Sequence, residues 1–154
     1  MKATAEVWID RSIEDVWRFA GDVANMEQWV EAISEFKGGD GEYCPGYRFG
    51  SKFTYAAGSH GITCVLTDFA PPHTIAFKSL TGPFPFDGTI RLEPADGGTR
   101  VSNTMNAGAD SLATKIMFTL GGPLFRRLMR RQLQKELEIM RHIVEERNQP
   151  PLTA

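Results

Sequence analysis

A long amphipathic helix near the C-terminal end most constrains how this chain can fold. Within residues 123–147 the apolar side chains recur at spacings of three and four, which places them on one side of a helix: Phe125, Met129, Leu133, Leu137, Met140 and Val144. That apolar side must be buried. The largest apolar surface elsewhere in the chain belongs to predicted β-strands, so we predict a sheet packed against this helix.

The composition is typical of one soluble globular domain, with 154 residues, 42% of them apolar, and a formal net charge of -2. We expect a single domain over residues 1–148 and a disordered tail over residues 149–154. Because we find no signal peptide and no stretch long enough to span a bilayer, we expect a cytoplasmic protein with free thiols at Cys44 and Cys64. The near-neutral charge argues against general nucleic-acid binding.

Alternating apolar and polar residues predict seven strands, at residues 3–9, 33–37, 47–57, 62–69, 74–80, 84–93 and 99–107. The connections between the last six are too short for parallel crossovers, so we predict an antiparallel meander. Two short helices should follow the first strand, the first capped by Ser12 and ended by Gly21, the second capped by Asp22. A separate helix at residues 110–120 should be broken from the long helix by Gly121-Gly122, because Pro123 suits a first helical position.

Three segments carry a pattern known from other proteins: VWIDRSIEDVW at residues 7–17 with the later Trp29, LTDFAPPHTIAF at residues 66–77, and GGTRV at residues 97–101 with the terminal helix. Together they resemble the START-like, helix-grip or birch-pollen-allergen-like superfamily, in its polyketide cyclase, dehydrase and lipid-transport branch. The resemblance implies an α+β fold, in which a seven-stranded curved antiparallel sheet grips the long C-terminal helix. It also implies a cavity between the two, and it leaves the chemistry open.

The inward-facing side chains can be predicted from alternation along the strands. The candidate ligand-binding residues are Phe49, Phe53, Tyr55, Phe77, Phe86, Asn103 and Met105 from the strands, and Met117, Leu120 and Leu124 from the helical segment above them. This apolar lining suits a hydrophobic or amphipathic small molecule, but the same side chains could simply fill the core. Asn103 and Tyr55 are the polar candidates, either as ligand anchors or as hydrogen-bonded core residues.

No catalytic residue can be assigned from the sequence. His60 and His73 are expected in turns and His142 on the polar side of the long helix, without the spacing of a metal site, and we predict no metal and no cofactor. Binding or transport of a hydrophobic small molecule is the favoured function. A polyketide aromatase/cyclase, which needs shape more than a conspicuous triad, and a protein interaction module are the alternatives.

A cationic run lies in the long helix at Arg126, Arg127, Arg130 and Arg131. Its ordinary explanation is a solvated surface. The alternative is peripheral contact with an anionic membrane, to which each basic group near the surface contributes about 1 kcal/mol.

Overall fold

The computed structural model describes residues 1–55, 58–108 and 112–147, and its description of side chains excludes Tyr55 and residues 112–120. The elements are β1 (Lys2–Ile9), α1 (Ile13–Ala20), a 3-10 turn (Val23–Asn25), α2 (Met26–Trp29), β2 (Ile33–Gly38), β3 (Arg48–Tyr55), β4 (Gly58–Ala70), β5 (Thr74–Thr81), β6 (Phe86–Ala95), β7 (Gly98–Ala107) and α3 (Leu112–Arg147). The predicted α+β architecture is confirmed.

The described strands form one antiparallel sheet in the order β1-β7-β6-β5-β4-β3-β2. Strands β2 to β7 are a meander, as predicted, and β1 pairs with β7. The β6–β7 connection is the two-residue turn Asp96-Gly97, with φ angles of 50° and 79°. Two positive φ angles suit the right-handed twist of a tight hairpin, which explains why an Asp-Gly pair stands there.

Helix α1 begins where Ser12 predicts, whereas Asp22 caps the 3-10 turn Val23–Asn25 and α2 begins after it, at Met26. The Ser12 hydroxyl accepts a hydrogen bond from the Asp15 amide at 3.2 Å, and the Asp22 carboxylate accepts one from the Ala24 amide at 3.2 Å. The Gly21 amide donates to the Trp17 carbonyl at 2.7 Å at the end of α1. These bonds satisfy helix-end groups that would otherwise lack partners.

Helix α3 packs along β1. The Gln134 side-chain amide donates to the Glu6 carbonyl at 3.0 Å, and the Arg11 guanidinium donates to the Glu145 carbonyl. The two chain segments run in the same direction, because Glu6 precedes Arg11 in the chain and their partners Gln134 and Glu145 follow in the same order. The α3 side chains of Leu133, Leu137, Met140 and Val144 are buried there, as is every second residue of β1.

The predicted break at Gly121-Gly122 is wrong, because α3 is continuous from Leu112 to Arg147 with Pro123 inside it. A proline lacks the amide that would donate to the preceding turn, and its ring clashes with the Cβ atom of the residue before it. Gly122 has no Cβ, so the second of these penalties is absent and the helix can continue. Residues 110–111 and the predicted tail at 149–154 lie outside the described residues.

Candidate functional site

The concave face of the sheet has a low floor near its centre. The pairing register aligns Ala3, Met105, Gly88, Phe77 and Leu66 across five strands. A Cβ atom at Gly88 would lie 2.6 Å from the Met105 sulfur and 2.7 Å from the Phe77 ring, so both side chains lean over this glycine. Gly88 therefore makes room for the Met105 and Phe77 side chains, which occupy the space above it at the centre of the concave face.

The concave face is closed at one end and open at the other. Val101 and Leu92, which pair with each other, have no exposed surface, whereas Met105, Ala107 and Phe86 are only half-buried. All five alternate in phase along β6 and β7 and therefore point to the same face. The half-buried end, which we call the apolar mouth, is formed by Phe53, Phe84, Phe86, Met105 and Ala107.

Three aromatic rings lie next to one another along this mouth, with Phe84 between Phe53 and Phe86. The Phe84 ring centroid lies 6.0 Å from that of Phe53 and 6.1 Å from that of Phe86, and both pairs are edge-to-face. Such contacts fix ring orientations while leaving ring edges and faces accessible. The mouth can therefore offer a firm apolar surface to a planar or aliphatic molecule.

Asn103 is the polar group at the inner edge of the mouth. It is 4% exposed, it precedes Met105 on the same face, and it pairs with Ala5 and Ile90 on the neighbouring strands. Its side-chain oxygen is buried and accepts no hydrogen bond from the described residues. Because a buried carbonyl oxygen without a donor is costly, this atom is suited to accept a hydrogen bond from a bound molecule.

The predicted ligand residues fall into several groups. Phe53, Phe86 and Met105 lie in the mouth, with Asn103 beside it, whereas Phe49 and Phe77 are 6% and 5% exposed and contact each other at a centroid distance of 6.4 Å inside the core. The side chains of Tyr55, Met117 and Leu120 lie outside those that the structure describes.

Leu124 does not fit the predicted inward position, because it is 60% exposed. The buried residues Leu133, Leu137 and Val144 define the side of α3 that faces the sheet, and at about 100° per residue Leu124 falls on the opposite side. The apolar stripe was correctly located, and the same spacing along the helix could have excluded Leu124 from it.

Sequence reasoning missed two members of the mouth. Ala107 has the same parity as Asn103 and Met105 in β7, so alternation contained the signal for it. Phe84 falls within the predicted strand at residues 84–93, in phase with Phe86, but β6 begins at Phe86 and Phe84 lies in the irregular segment before it. His60, expected in a turn, lies within β4 directly opposite Phe53 and is half-buried.

Cys64 lies on the concave face, where it pairs with Phe49, and is 2% exposed. Burial raises the pKa of its thiol to about 12, so the thiol stays protonated at neutral pH. A thiol in this state is a small apolar filler and not a nucleophile. Within the described residues, no group of three or more His, Cys, Asp and Glu side chains is arranged to hold a metal ion.

A buried carboxylate, Glu136, joins α3 to the segment after α2. It is 4% exposed, and one of its oxygens accepts hydrogen bonds from the Glu31 amide and the Gln132 side chain, both at 3.1 Å. Burial raises the pKa of Glu136, and the negative charge of Glu31 adds to the effect, while the two hydrogen bonds oppose it. Lys135 pairs with Glu31 at 3.1 Å, so the charge balance of the junction rests on one lysine and two acids.

We expect Glu136→Gln to raise the free energy of unfolding at neutral pH. An acid whose pKa is raised on folding stabilises the folded state in its protonated form, and this advantage is lost as the pH rises from about 4.5 through the folded-state pKa. The free energy of unfolding of the variant should therefore exceed that of the wild type at neutral pH, and the two values should converge toward pH 4.5. Urea unfolding at a series of pH values measures this difference.

The matched control is Glu138→Gln, which removes the same charge from the same helix at a side chain that is 39% exposed. It should give no such gain. Glu31, whose pKa is lowered by hydrogen bonds from Gln132 and Lys135, is present in all three proteins, and relief of its repulsion with Glu136 is part of the gain expected in Glu136→Gln. A difference between Glu136→Gln and wild type that does not change with pH would contradict this assignment.

Two open surface grooves lie away from the mouth. One of about 480 Å³ adjoins the β6–β7 turn and the start of α1, and one of about 390 Å³ is lined by residues of β2, β3 and β4, among them Lys37, Lys52 and His60. Neither contains any of the predicted ligand residues. Their lining combines glycine, charged and hydroxyl residues with apolar ones such as Ile13 and Ile62, and both grooves are open to solvent.

No described helix has a stretch of sufficient length and apolarity to cross a membrane. Residues 1–145 match the family described as polyketide cyclase / dehydrase and lipid transport. Among curated proteins, none matches this chain with significance.

Several solved structures share the fold. TTHA0849 from Thermus thermophilus is similar with a TM-score of 0.78 and 20% identity, over 97% of this chain and 100% of that one. The di-domain ARO/CYC protein StfQ from the steffimycin biosynthetic pathway gives a TM-score of 0.74 and 14% identity, over 95% of this chain and 51% of that one. Ara h 8.0201 gives a TM-score of 0.61 and 11% identity, over 95% and 98%. At these identities the likeness shows a common helix-grip fold.

Proposed function

Because this chain belongs to the polyketide cyclase/dehydrase and lipid-transport family, we propose that it binds a hydrophobic or amphipathic small molecule at the apolar mouth. The single observation that carries the proposal is the unfilled end of the concave face, where Phe86, Met105 and Ala107 point inward and yet remain half-buried. Side chains with this orientation are fully covered at the other end of the same strands. A ligand placed there would bury apolar surface that is now exposed to water, at about 25 cal/mol per Å².

The proposed binding mode combines this burial with one hydrogen bond. Asn103 lies two residues before Met105 in β7, on the same face of the sheet. Its side-chain oxygen accepts no hydrogen bond from the described residues. A ligand with a hydroxyl or amide N–H at one end and an apolar body could donate a hydrogen bond to this oxygen and at the same time fill the mouth. Such a molecule fits the small number of polar groups present.

Native mass spectrometry of freshly purified protein, followed by titration with the apolar dye 8-anilinonaphthalene-1-sulfonate, tests the proposal. We expect either a co-purified small molecule, seen as a mass excess over the denatured chain, or saturable dye binding at one site. If the protein shows no mass excess and also binds no dye, the ligand-binding proposal is contradicted. A stable complex with another protein under the same conditions would instead favour an interaction module.

We expect Asn103→Leu to remove discrimination between ligands with and without a hydroxyl group. The pair 2-naphthol and naphthalene has nearly the same apolar body, and only the first can donate a hydrogen bond. One such bond is worth about 1 kcal/mol, so 2-naphthol should displace the dye from wild type at a concentration about fivefold lower than naphthalene does. In the variant this difference should disappear, while naphthalene binding is kept.

Urea unfolding of the Asn103→Leu variant separates an anchor from a structural residue. Leucine has a similar volume and leaves no unpaired oxygen, so the free energy of unfolding should not fall by more than about 1 kcal/mol. Severe destabilisation, or an unchanged preference for 2-naphthol, would show that Asn103 does not bind the ligand.

An enzyme of the polyketide aromatase/cyclase type is the second candidate, favoured by the similarity of fold to StfQ. In that case the mouth would hold a reactive polyketide in a bent conformation, which lowers the entropic barrier to ring closure. The discriminating experiment adds the protein to a polyketide synthase reaction that yields a mixture of spontaneously cyclised products. A shift of the mixture toward one product, lost in a mouth variant, would support catalysis, whereas an unchanged mixture would favour binding alone.

A further inference from the structure

The middle segment of α3, residues 121–132, exposes leucines that an amphipathic helix packed on a sheet would normally bury. Leu124 is 60% exposed and Leu128 is 48% exposed, and at a spacing of four residues they lie side by side on one face. No residue within 121–132 is buried, in contrast to the second half of the helix. The leucines therefore form an apolar strip that no described part of the chain covers.

Positive charge surrounds this strip. Residues 112–135 contain no Asp or Glu, and within them Arg126, Arg127, Arg130 and Arg131 form no ion pair with any described residue. At about 100° per residue, Arg127 and Arg131 lie beside the two leucines, on one side of them, on the outward face. The result is a local surface of paired leucines and unpaired arginines in a chain whose net charge is -2.

This combination distinguishes among three possible partners. A second copy of the chain, docked through the same surface, would bring the arginines of both copies together, which is unfavourable in a two-fold contact. A nucleic acid would use the arginines but would leave the leucines exposed to water. An anionic lipid surface satisfies both, because its headgroups attract the arginines while its acyl region accepts leucine side chains.

We propose that the middle segment of α3, residues 121–132, docks on an anionic membrane surface through Leu124 and Leu128 with Arg127 and Arg131. Met129, on another side of the same turns, is half-buried against the core, so this segment lies between the membrane and the protein interior. The purpose of docking rests on the proposed function, since an apolar ligand held in the mouth could then be exchanged with the lipid. The docking itself is a separate property with its own measurement.

Co-sedimentation with sucrose-loaded vesicles tests the docking. The vesicles consist of phosphatidylcholine alone, or of phosphatidylcholine and phosphatidylserine in equal parts. We expect binding only to the mixed vesicles and its loss at high salt, where exposed charges are screened. Each arginine near the surface contributes about a fivefold gain in partitioning, so Arg127→Gln combined with Arg131→Gln should weaken binding about 30-fold. Leu124→Ala combined with Leu128→Ala should weaken it about tenfold or more.

The matched control is Lys37→Gln combined with Lys52→Gln, which removes two exposed positive charges on β2 and β3, away from α3. It should leave vesicle binding nearly unchanged. Equal loss in this control and in the arginine variant would reduce the effect to net charge and overturn the proposal. Binding to neutral vesicles, binding of RNA in place of mixed vesicles, or self-association that disappears in the leucine variant would also overturn it.

Titration with 8-anilinonaphthalene-1-sulfonate separates this proposal from the proposed function. The arginine and leucine variants should bind the dye as the wild type does, because none of their substituted residues lies in the mouth. If the protein does not bind vesicles but still binds the dye, the docking proposal alone is contradicted. Vesicle binding without any dye binding would contradict the ligand site and leave docking in place.

Discussion

Replacement of Leu137 by alanine should lower the free energy of unfolding by about 2–5 kcal/mol, the range for loss of a buried leucine side chain with partial collapse of the cavity left behind. Leu137 has no exposed surface and lies in the contact of α3 with β1. The variant also tests whether this contact holds the helix on the sheet. Urea unfolding followed by far-ultraviolet circular dichroism measures the change.

The same helix supplies a matched control in Leu124→Ala. The side-chain atoms removed are identical, but Leu124 is 60% exposed, so the free energy of unfolding should change by no more than about 0.5 kcal/mol. A loss comparable to that of Leu137→Ala would mean that the middle segment of α3 is packed against the body of the protein. Both the exposed leucine strip and the docking proposal would then fail.

Replacement of Ala107 by tryptophan should block the apolar mouth. Ala107 is half-buried, it faces the concave side in phase with Asn103 and Met105, and it pairs with Phe86. An indole there would cover roughly 100 Å² of apolar surface that a ligand would otherwise bury, which corresponds to about 2.5 kcal/mol, or about 70-fold in the dissociation constant of 8-anilinonaphthalene-1-sulfonate.

Asn106→Trp is the control for this experiment, because it adds the same indole one residue earlier, at an exposed position on the opposite face of β7. Dye binding should be unchanged in it. Circular dichroism spectra that match the wild type would show that both variants are folded. If the two variants bind the dye equally well, the probe does not occupy the mouth, and the ligand site must be sought elsewhere.

Local pattern was sufficient to predict most of the elements. The alternation of Ala3, Ala5, Val7 and Ile9 predicted β1 and its buried face, and the Ser12 hydroxyl predicted where α1 begins. These features depend on the period of the backbone and on hydrogen bonds between residues a few positions apart, and both can be read from neighbours in the chain. The error at residues 121–123 came from the same source, because Gly121-Gly122 were taken as a helix break and Pro123 as a new helix start, whereas α3 continues through all three.

The position of the site depended on tertiary structure. Phe49 and Phe53 have the same parity in β3, yet Phe49 packs among Phe36, Tyr47 and Phe77 in the core while Phe53 lies in the open mouth. Parity assigns a side chain to a face of the sheet, but it contains no information on what covers that face at each position. That covering depends on where α3 crosses the sheet.

The same distinction holds along α3 itself. The sequence by itself determined the spacing of the apolar stripe, and therefore that Leu133, Leu137, Met140 and Val144 share one side of a helix. Only the tertiary structure decided that this part of the stripe is covered by β1, that Leu124 faces solvent, and that Glu136 is buried despite its charge. The physical reason is that periodicity is a property of one element, whereas burial is a property of two elements and of the place where they meet.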